Sequence, residues 1–151
     1  MNENFFPGFI DLNNKKCLVI GAGNIAYKKI TKLMDYRADI RVITKGIKKN
    51  EIRHLSGVDV SIEDFNERDL DGVFLVVAAT DDPDFNESIH KLCEERNILI
   101  NNITSKTHMN FRFSAVYEDE NIQIAVSAKG YPKKSVTIRN KIAEFLKDMK
   151  F

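Results

Sequence analysis

Apolar residues along this chain follow two rhythms. Short continuous apolar runs mark strands covered on both faces, and they alternate with stretches where apolar positions recur every three or four residues, as on a helix face. Residues 17–20 form the first run, and from Asn24 onward Ala26, Ile30, Leu33 and Met34 share one helical face. Asp39–Thr44 predicts a second strand, residues 47–55 a short polar helix, Val58–Ile62 a third strand, and Glu67–Leu70 a turn or single helical loop. Residues 72–80 are the most apolar run in the chain and predict a central strand. Pro83 then stands at a first helical position behind Asp82 as its cap, and Phe85, Ile89, Leu92 and Cys93 space as one face. Residues 97–102 predict a fifth strand. Ahead of all this, residues 5–12 are apolar but broken by Pro7 and Gly8, which predicts an extended lead-in covering an end of the core; Asn13 and Asn14 then turn into the first strand.

Strands alternating with helices build an α/β fold, a doubly wound parallel sheet whose ligands lie beyond the carboxyl ends of the strands. Residues 21–26, 78–81 and 101–105 are expected to converge on that edge. After Thr104 the rhythm changes to period two: residues 111–117 and 122–127 alternate around a hairpin turn at 118–121. A loop over 127–132 leads to a helix over 134–150, with Ile138, Ile142, Phe145, Leu146 and Met149 on one face. This β-β-α tail has little core of its own, so it packs on the sheet or on a partner chain, and a partner is the expectation. The organisation predicted is a nucleotide-binding domain over 1–110 and a β-β-α dimerisation segment over 111–151. Internal repeats and low-complexity segments do not occur.

The first strand breaks into Gly21-Ala22-Gly23-Asn24-Ile25-Ala26, a GxGxxA turn. Gly21 and Gly23 permit a tight turn with close backbone approach to a pyrophosphate, Ala26 lets the first helix pack close to the first strand, and the helix N-terminus offers N–H groups to an anion. With the β-α-β context around it, the turn reads as a dinucleotide site on a Rossmann-type sheet. One usual feature is missing. The second strand ends in Thr44-Lys45-Gly46, without the acid that commonly bonds the ribose. Thr44 can bond a ribose and Lys45 can attract a 2′-phosphate or stand solvated, so these residues do not choose between NAD and NADP.

Composition narrows the function classes. The 151 residues suit one domain with a small appendage, and 43% hydrophobic with 30% charged residues describes a globular chain. A net charge of +1 argues against nucleic acid as a partner, and no apolar run reaches the length of a membrane span. The N-terminus carries no signal-peptide pattern, and Cys17 and Cys93 read as buried thiols, so a cytoplasmic protein is expected. Charge is uneven: residues 128–151 carry seven basic and two acidic groups, +5 against −4 for the rest. That is either an anion site or a solvated helix face. His54, His90 and His108 have no ligand spacing with each other or with the cysteines, so no metal site is expected.

The segments GAGNIAYKK, AATDDPDFN, ILIN, IAVSAKGYP and IRNKI occur in order, preceded by FPGFIDL. On these the chain resembles the precorrin-2 dehydrogenase/sirohydrochlorin ferrochelatase family of sirohaem biosynthesis, over residues 6–145. The resemblance implies NAD-dependent oxidation of precorrin-2 to sirohydrochlorin, sometimes followed by iron or cobalt insertion, in a homodimer joined through the β-β-α part. It implies that Gly21, Gly23, Asn24 and Ile25 line the pyrophosphate, Thr44 the ribose, and Ala79, Thr80 and Asp81 the nicotinamide half. Two departures stand out. Family members often carry an acid-base Asp just after the fifth strand, where this chain has Thr104 and Ser105. Many also continue into a helical C-terminal domain, so either a more open pocket or a truncated chain is expected here.

The catalytic candidates are accordingly Thr104, Ser105 and His108. His108 lies in a polar loop, where an imidazole suits proton transfer, though an exposed loop histidine is the plainer reading. Hydride transfer depends chiefly on positioning and survives loss of the Asp, whereas metal insertion must remove two pyrrole protons, so dehydrogenase ranks above chelatase. A polycarboxylate tetrapyrrole substrate gives the basic tail a purpose. Asn101, Arg112, Ser127, Lys129, Gly130 and Arg139 are the substrate candidates, with Lys106, Lys133 and Lys134 as further cations and Arg139 and Lys129 foremost. The alternatives are a non-catalytic nucleotide-sensing module and a tetrapyrrole-binding carrier.

Overall fold

The computed structural model describes residues 4–149. Residues through Phe111 form one compact unit and those from Arg112 a second. The first unit contains β1 (Lys16–Ile20), α1 (Asn24–Asp35), β2 (Asp39–Thr44), β3 (Val58–Ile62), β4 (Leu75–Ala78), α2 (Pro83–Glu95) and β5 (Leu99–Asn102), with short 3-10 turns at Asn50–His54 and Glu67–Leu70. The second contains β6 (Ala115–Glu118), β7 (Gln123–Val126) and α3 (Pro132–Leu146). Among the described residues no helix is long and apolar enough to cross a membrane.

The five strands of the first unit are all parallel, in the order β3-β2-β1-β4-β5. From β1 the chain winds outward to β3 on one side, then crosses back to place β4 and β5 on the other. The direction of winding reverses between β1 and β4, which opens a crevice at their carboxyl ends. Continuous apolar runs at β1 and β4 follow from burial on both faces. Leu18, Ile20, Val76 and Ala78 pack with Ile89 and Cys93 of α2, and the alternate residues Cys17, Val19, Leu75 and Val77 are equally buried on the other face. Helix α1 buries Ala26, Ile30 and Leu33, as the periodicity predicts.

Three expectations need correcting. The lead-in does not cover the core: Phe6 and Phe9 are 91% and 72% exposed. Leu12, at the end of the segment, is the one residue of 6–12 that joins the core. The polar helix over 47–55 shrinks to the 3-10 turn at Asn50–His54, and the residues just before it are tied to the glycine turn by Lys48 N and Lys49 N, which both donate to Ala22 O at 3.0 Å. Strand β4 starts at Leu75 rather than at Gly72, whose φ of +73° belongs to a turn.

In the second unit β6 and β7 pair antiparallel, with Glu118 opposite Gln123. The turn lies one residue later than expected, because the Asp119 carboxylate accepts from Asn121 N at 2.8 Å and Ile122 N at 3.0 Å. Helix α3 begins at Pro132, earlier than expected, and ends at Leu146; the predicted end at Lys150 lies outside the described residues. Of its expected apolar face, Ile142 and Leu146 are half-buried while Phe145 is 69% exposed.

Candidate functional site

The glycine turn leaves β1 with Gly21 N donating to Ile43 O at 2.9 Å, so the sheet's hydrogen bonding continues into the loop. Gly21 has φ +111°, and a Cβ there would lie 2.3 Å from the Ala79 carbonyl oxygen. Glycine is required because β4 passes against the turn. Gly23 differs: its backbone is extended, and a Cβ on it would meet nothing within 4 Å. It opens α1 without a side-chain cap, and the helix has no acid in its first turn. The first N–H groups of α1 are thus left for an anion.

Beyond this turn lies a cavity of about 500 Å³ at the crevice, lined from β1 by residues 20–23, from the β2 end by 43–48, and from the β4 end by 79–82. Glu63, Phe65 and Phe85 complete the wall, with the Phe65 and Phe85 rings edge to face at 6.1 Å. Of the residues expected at a cofactor, Gly21, Gly23, Thr44, Ala79, Thr80 and Asp81 line this cavity. Asn24 and Ile25, in the first turn of α1, are exposed and do not. Thr44 is buried, and its hydroxyl donates to Gly46 O at 2.7 Å while accepting from Gly46 N at 3.2 Å. The donor is spent, so toward a ligand Thr44 can only accept.

Charges ring the mouth. Lys48 Nζ donates to Asp81 Oδ2, and Lys45 pairs with Asp64 at 3.7 Å. Glu63 is held by Arg41 at 2.8 Å, and Arg41 also bonds Asp69 at 3.0 Å. Glu63 and Lys48 escaped the sequence reading. Glu63 follows β3, one strand away from the position where a ribose acid is sought, and only the pairing of β2 with β3 brings it beside Thr44, whose carbonyl accepts from Glu63 N at 3.0 Å.

Residues 101–108 do not line the cavity. Asn101 is buried, with Nδ2 donating to Phe111 O at 3.1 Å, a bond that braces the end of the following loop. The Thr104 hydroxyl donates to Asn102 Oδ1 at 2.8 Å and accepts from Asn86 Nδ2 at 3.0 Å. Asn86 is fully buried; it also donates to Thr80 O at 3.0 Å and accepts from Thr80 Oγ1 at 2.6 Å. One asparagine therefore couples the β4 end to the β5 loop. Its signal was present in the sequence as a polar residue on the buried face of α2, in line with Ile89 and Cys93. Ser105 Oγ accepts from His108 N at 2.9 Å and Thr107 N at 3.2 Å, which closes a turn. His108 Nδ1 lies 3.5 Å from Glu87 Oε2, and its ring is 5.7 Å from that of His90. Burial lowers the His90 pKa below the usual histidine value, against the raising effect of Glu94.

Cys17 and Cys93 are free and buried, and burial raises their thiols to about 11 and about 12, so both stay protonated. In the second unit Arg139 Nη1 donates to Val116 O at 3.0 Å, and Ala128 N donates to Ser135 Oγ at 2.8 Å. Lys129 and Gly130 have φ +49° and +92°, which shapes the exposed loop that begins at Ser127. Arg112 is half-buried at the start of this unit.

A protein-family model described as "Putative NAD(P)-binding" matches residues 9–115. The "Siroheme synthase" of Mannheimia succiniciproducens is 36% identical over 130 residues, covering 84% of this chain and 27% of its own length. That of Actinobacillus succinogenes is 33% identical over 131 residues, covering 83% and 27%. The chain thus spans only about a quarter of the length of these relatives. Among solved structures, "SirC, precorrin-2 dehydrogenase" has the same fold, with a TM-score of 0.74 at 23% identity over 93% of this chain and 71% of that one. On the glycine turn, the strand order and these relatives together, the chain belongs to the NAD(P)-binding family of that model, and its motif resemblance to the precorrin-2 dehydrogenase/sirohydrochlorin ferrochelatase family is supported.

Proposed function

We propose that this chain is an NAD-dependent precorrin-2 dehydrogenase, oxidising precorrin-2 to sirohydrochlorin. The observation that carries the cofactor half of the reading is Gly23, a glycine that the packing of the protein does not require and whose missing side chain leaves open the approach to the helix N-terminus; the substrate half rests on the motifs and on the relatives named above. Such a cradle fits a pyrophosphate. Gly21 and Gly23 would hold that group from the cavity wall and Asn24 and Ile25, outside the wall in the first turn of α1, through their backbone N–H groups; Thr44 Oγ1 would accept from a ribose hydroxyl, and Ala79, Thr80 and Asp81 would hold the nicotinamide half. When bound, the nicotinamide supplies the hydride acceptor. The protein's part is to fix the substrate beside it, and good orientation is worth about 7–11 kcal/mol of barrier.

Glu63 favours NAD over NADP, since a carboxylate in the cavity wall beside Thr44 opposes a 2′-phosphate. Glu63→Gln is expected to raise the affinity for NADP relative to NAD by about tenfold, the size of one charge-assisted contact; an unchanged ratio in titrations with both cofactors would reject that role. Of the three catalytic candidates, His108 is the group able to take a proton, while Thr104 and Ser105 are hydroxyls engaged in the loop. An uncharged, doubly bonded Thr104 does not replace a carboxylate in metal insertion. Chelation is therefore not proposed for this chain. Arg139, Lys129, Arg112, Ser127 and Gly130 would meet the substrate's carboxylates, in a cytoplasmic homodimer joined through the second unit.

The same Thr104 favours a second reading, a protein of this fold that binds NAD or a tetrapyrrole without turnover. Anaerobic incubation with precorrin-2 and NAD, followed by absorbance, separates them. Cofactor-dependent formation of sirohydrochlorin is the expected result; binding without turnover selects the second reading.

A further inference from the structure

Lys48 follows β2 and Asp81 follows β4, and β1 with its glycine turn runs between those two strands. The ion pair of Lys48 Nζ with Asp81 Oδ2 therefore crosses over the turn, and both residues line the cavity. Two backbone bonds, from Lys48 N and Lys49 N to Ala22 O at 3.0 Å each, fix the root of the Lys48 side chain against the turn itself. Neighbouring cations are engaged elsewhere. Lys45 pairs with Asp64 at 3.7 Å; Lys49 pairs with Glu51 at 2.9 Å and lies over the Tyr27 ring. Gly23, which opens α1 without a side-chain cap, lines the same cavity as the pair.

We infer that Lys48 is a phosphate ligand of the dinucleotide, held in reserve by Asp81, and that binding exchanges the Asp81 carboxylate for the cofactor's pyrophosphate on the Lys48 ammonium. This rests on the dinucleotide reading of the cavity. The direction of exchange follows from exposure. Both side chains of the pair are mostly in water, at 72% and 79%, where an ion pair contributes little. A pyrophosphate offers the same ammonium two negative charges, several acceptor oxygens and a second anchor at the helix N-terminus. Released from Lys48, Asp81 becomes an acceptor at the β4 end for an N–H donor of the other half of the ligand. Asp81 thereby has two states: in the free protein it occupies the phosphate ligand, and in the complex it faces the cofactor.

Calorimetric titration with ADP-ribose, which carries the pyrophosphate without the nicotinamide, tests the exchange apart from any nicotinamide contact of Asp81. NAD is titrated alongside. Lys48→Met is expected to weaken ADP-ribose binding about tenfold and to flatten its salt dependence, with Lys48→Arg restoring most of the loss. Asp81→Asn is expected to tighten ADP-ribose binding several-fold by freeing Lys48. In the double variant that gain disappears, because there is no ammonium left to free. Lys48→Met protein that binds like the wild type overturns the proposal, and so does an Asp81→Asn gain that persists in the Lys48→Met background, which would mark simple repulsion by Asp81. Wild-type protein that binds neither ligand overturns the dinucleotide reading and the exchange with it.

Discussion

A methyl group placed on Gly21 meets the Ala79 carbonyl oxygen at 2.3 Å, and one placed on Gly23 meets nothing within 4 Å. The two glycines of one motif therefore predict opposite phenotypes. Gly21→Ala is expected to lower stability by about 2 kcal/mol or more, from positive-φ strain and the backbone clash together. Gly23→Ala is expected to stay within about 0.5 kcal/mol of wild type in urea unfolding and still to lose at least tenfold in NAD affinity. A Gly23→Ala protein that binds NAD normally would remove the phosphate cradle. That the turn is glycine-rich and feeds a helix was legible in the sequence. Which glycine serves the fold and which serves a ligand was not, because the atom that decides it arrives on β4.

Helix α2 and the loop after β5 are joined by polar contacts whose partners no periodicity names, although the spacing puts Asn86 on the buried face. Asn86 spends its amide on Thr80 and Thr104, with Asn102 next in line, and the position is fully sealed from solvent. Asn86→Ala leaves the Thr80 carbonyl and Thr104 hydroxyl short of a donor, and a loss of about 1–3 kcal/mol is expected; an unchanged urea midpoint would show that water replaces the amide. The other end of the contact is pH-sensitive. Burial depresses His90, the adjacent His108 and Lys91 push the same way, and Glu94 and Glu87 oppose them. The unfolded chain thus binds more protons than the folded one between the depressed value and about 6.5. His90 therefore costs stability progressively as pH falls below about 6.5 and costs nothing above it. Between pH 7.5 and 5.5, His90→Gln is expected to lose less of its unfolding midpoint than wild type, and equal losses would reject the assignment. Elements were readable here from apolar spacing and from the Asp82-Pro83 start, whose carboxylate accepts from Asp84 N and Phe85 N as expected. Their ends were not. The loop after β2 is helical only as the 3-10 turn at Asn50–His54, and the backbone bonds of Lys48 and Lys49 to Ala22 tie its start to the glycine turn.

Across the whole molecule the second unit leaves apolar surface uncovered, with Phe145 at 69% and Val136 at 42% exposure on α3. This supports the proposed homodimer, and Phe145→Glu is expected to shift the sedimentation profile from dimer toward monomer; a wild-type profile that is monomeric throughout rejects that assembly. Five parallel strands, the two helices α1 and α2 between them, the glycine turn and the hairpin-helix tail were all determined by the sequence alone, because strand burial and helix amphipathicity impose local periods that survive without knowledge of neighbours. Tertiary structure alone decided what meets at the carboxyl edge. It put Glu63 beside Thr44, set Lys48 across the turn from Asp81, sealed Asn86 behind Thr104, and kept the 101–108 segment out of the cavity wall. Each of these depends on a strand order and a register that bring distant loops together, and no local pattern in the chain encodes that neighbourhood.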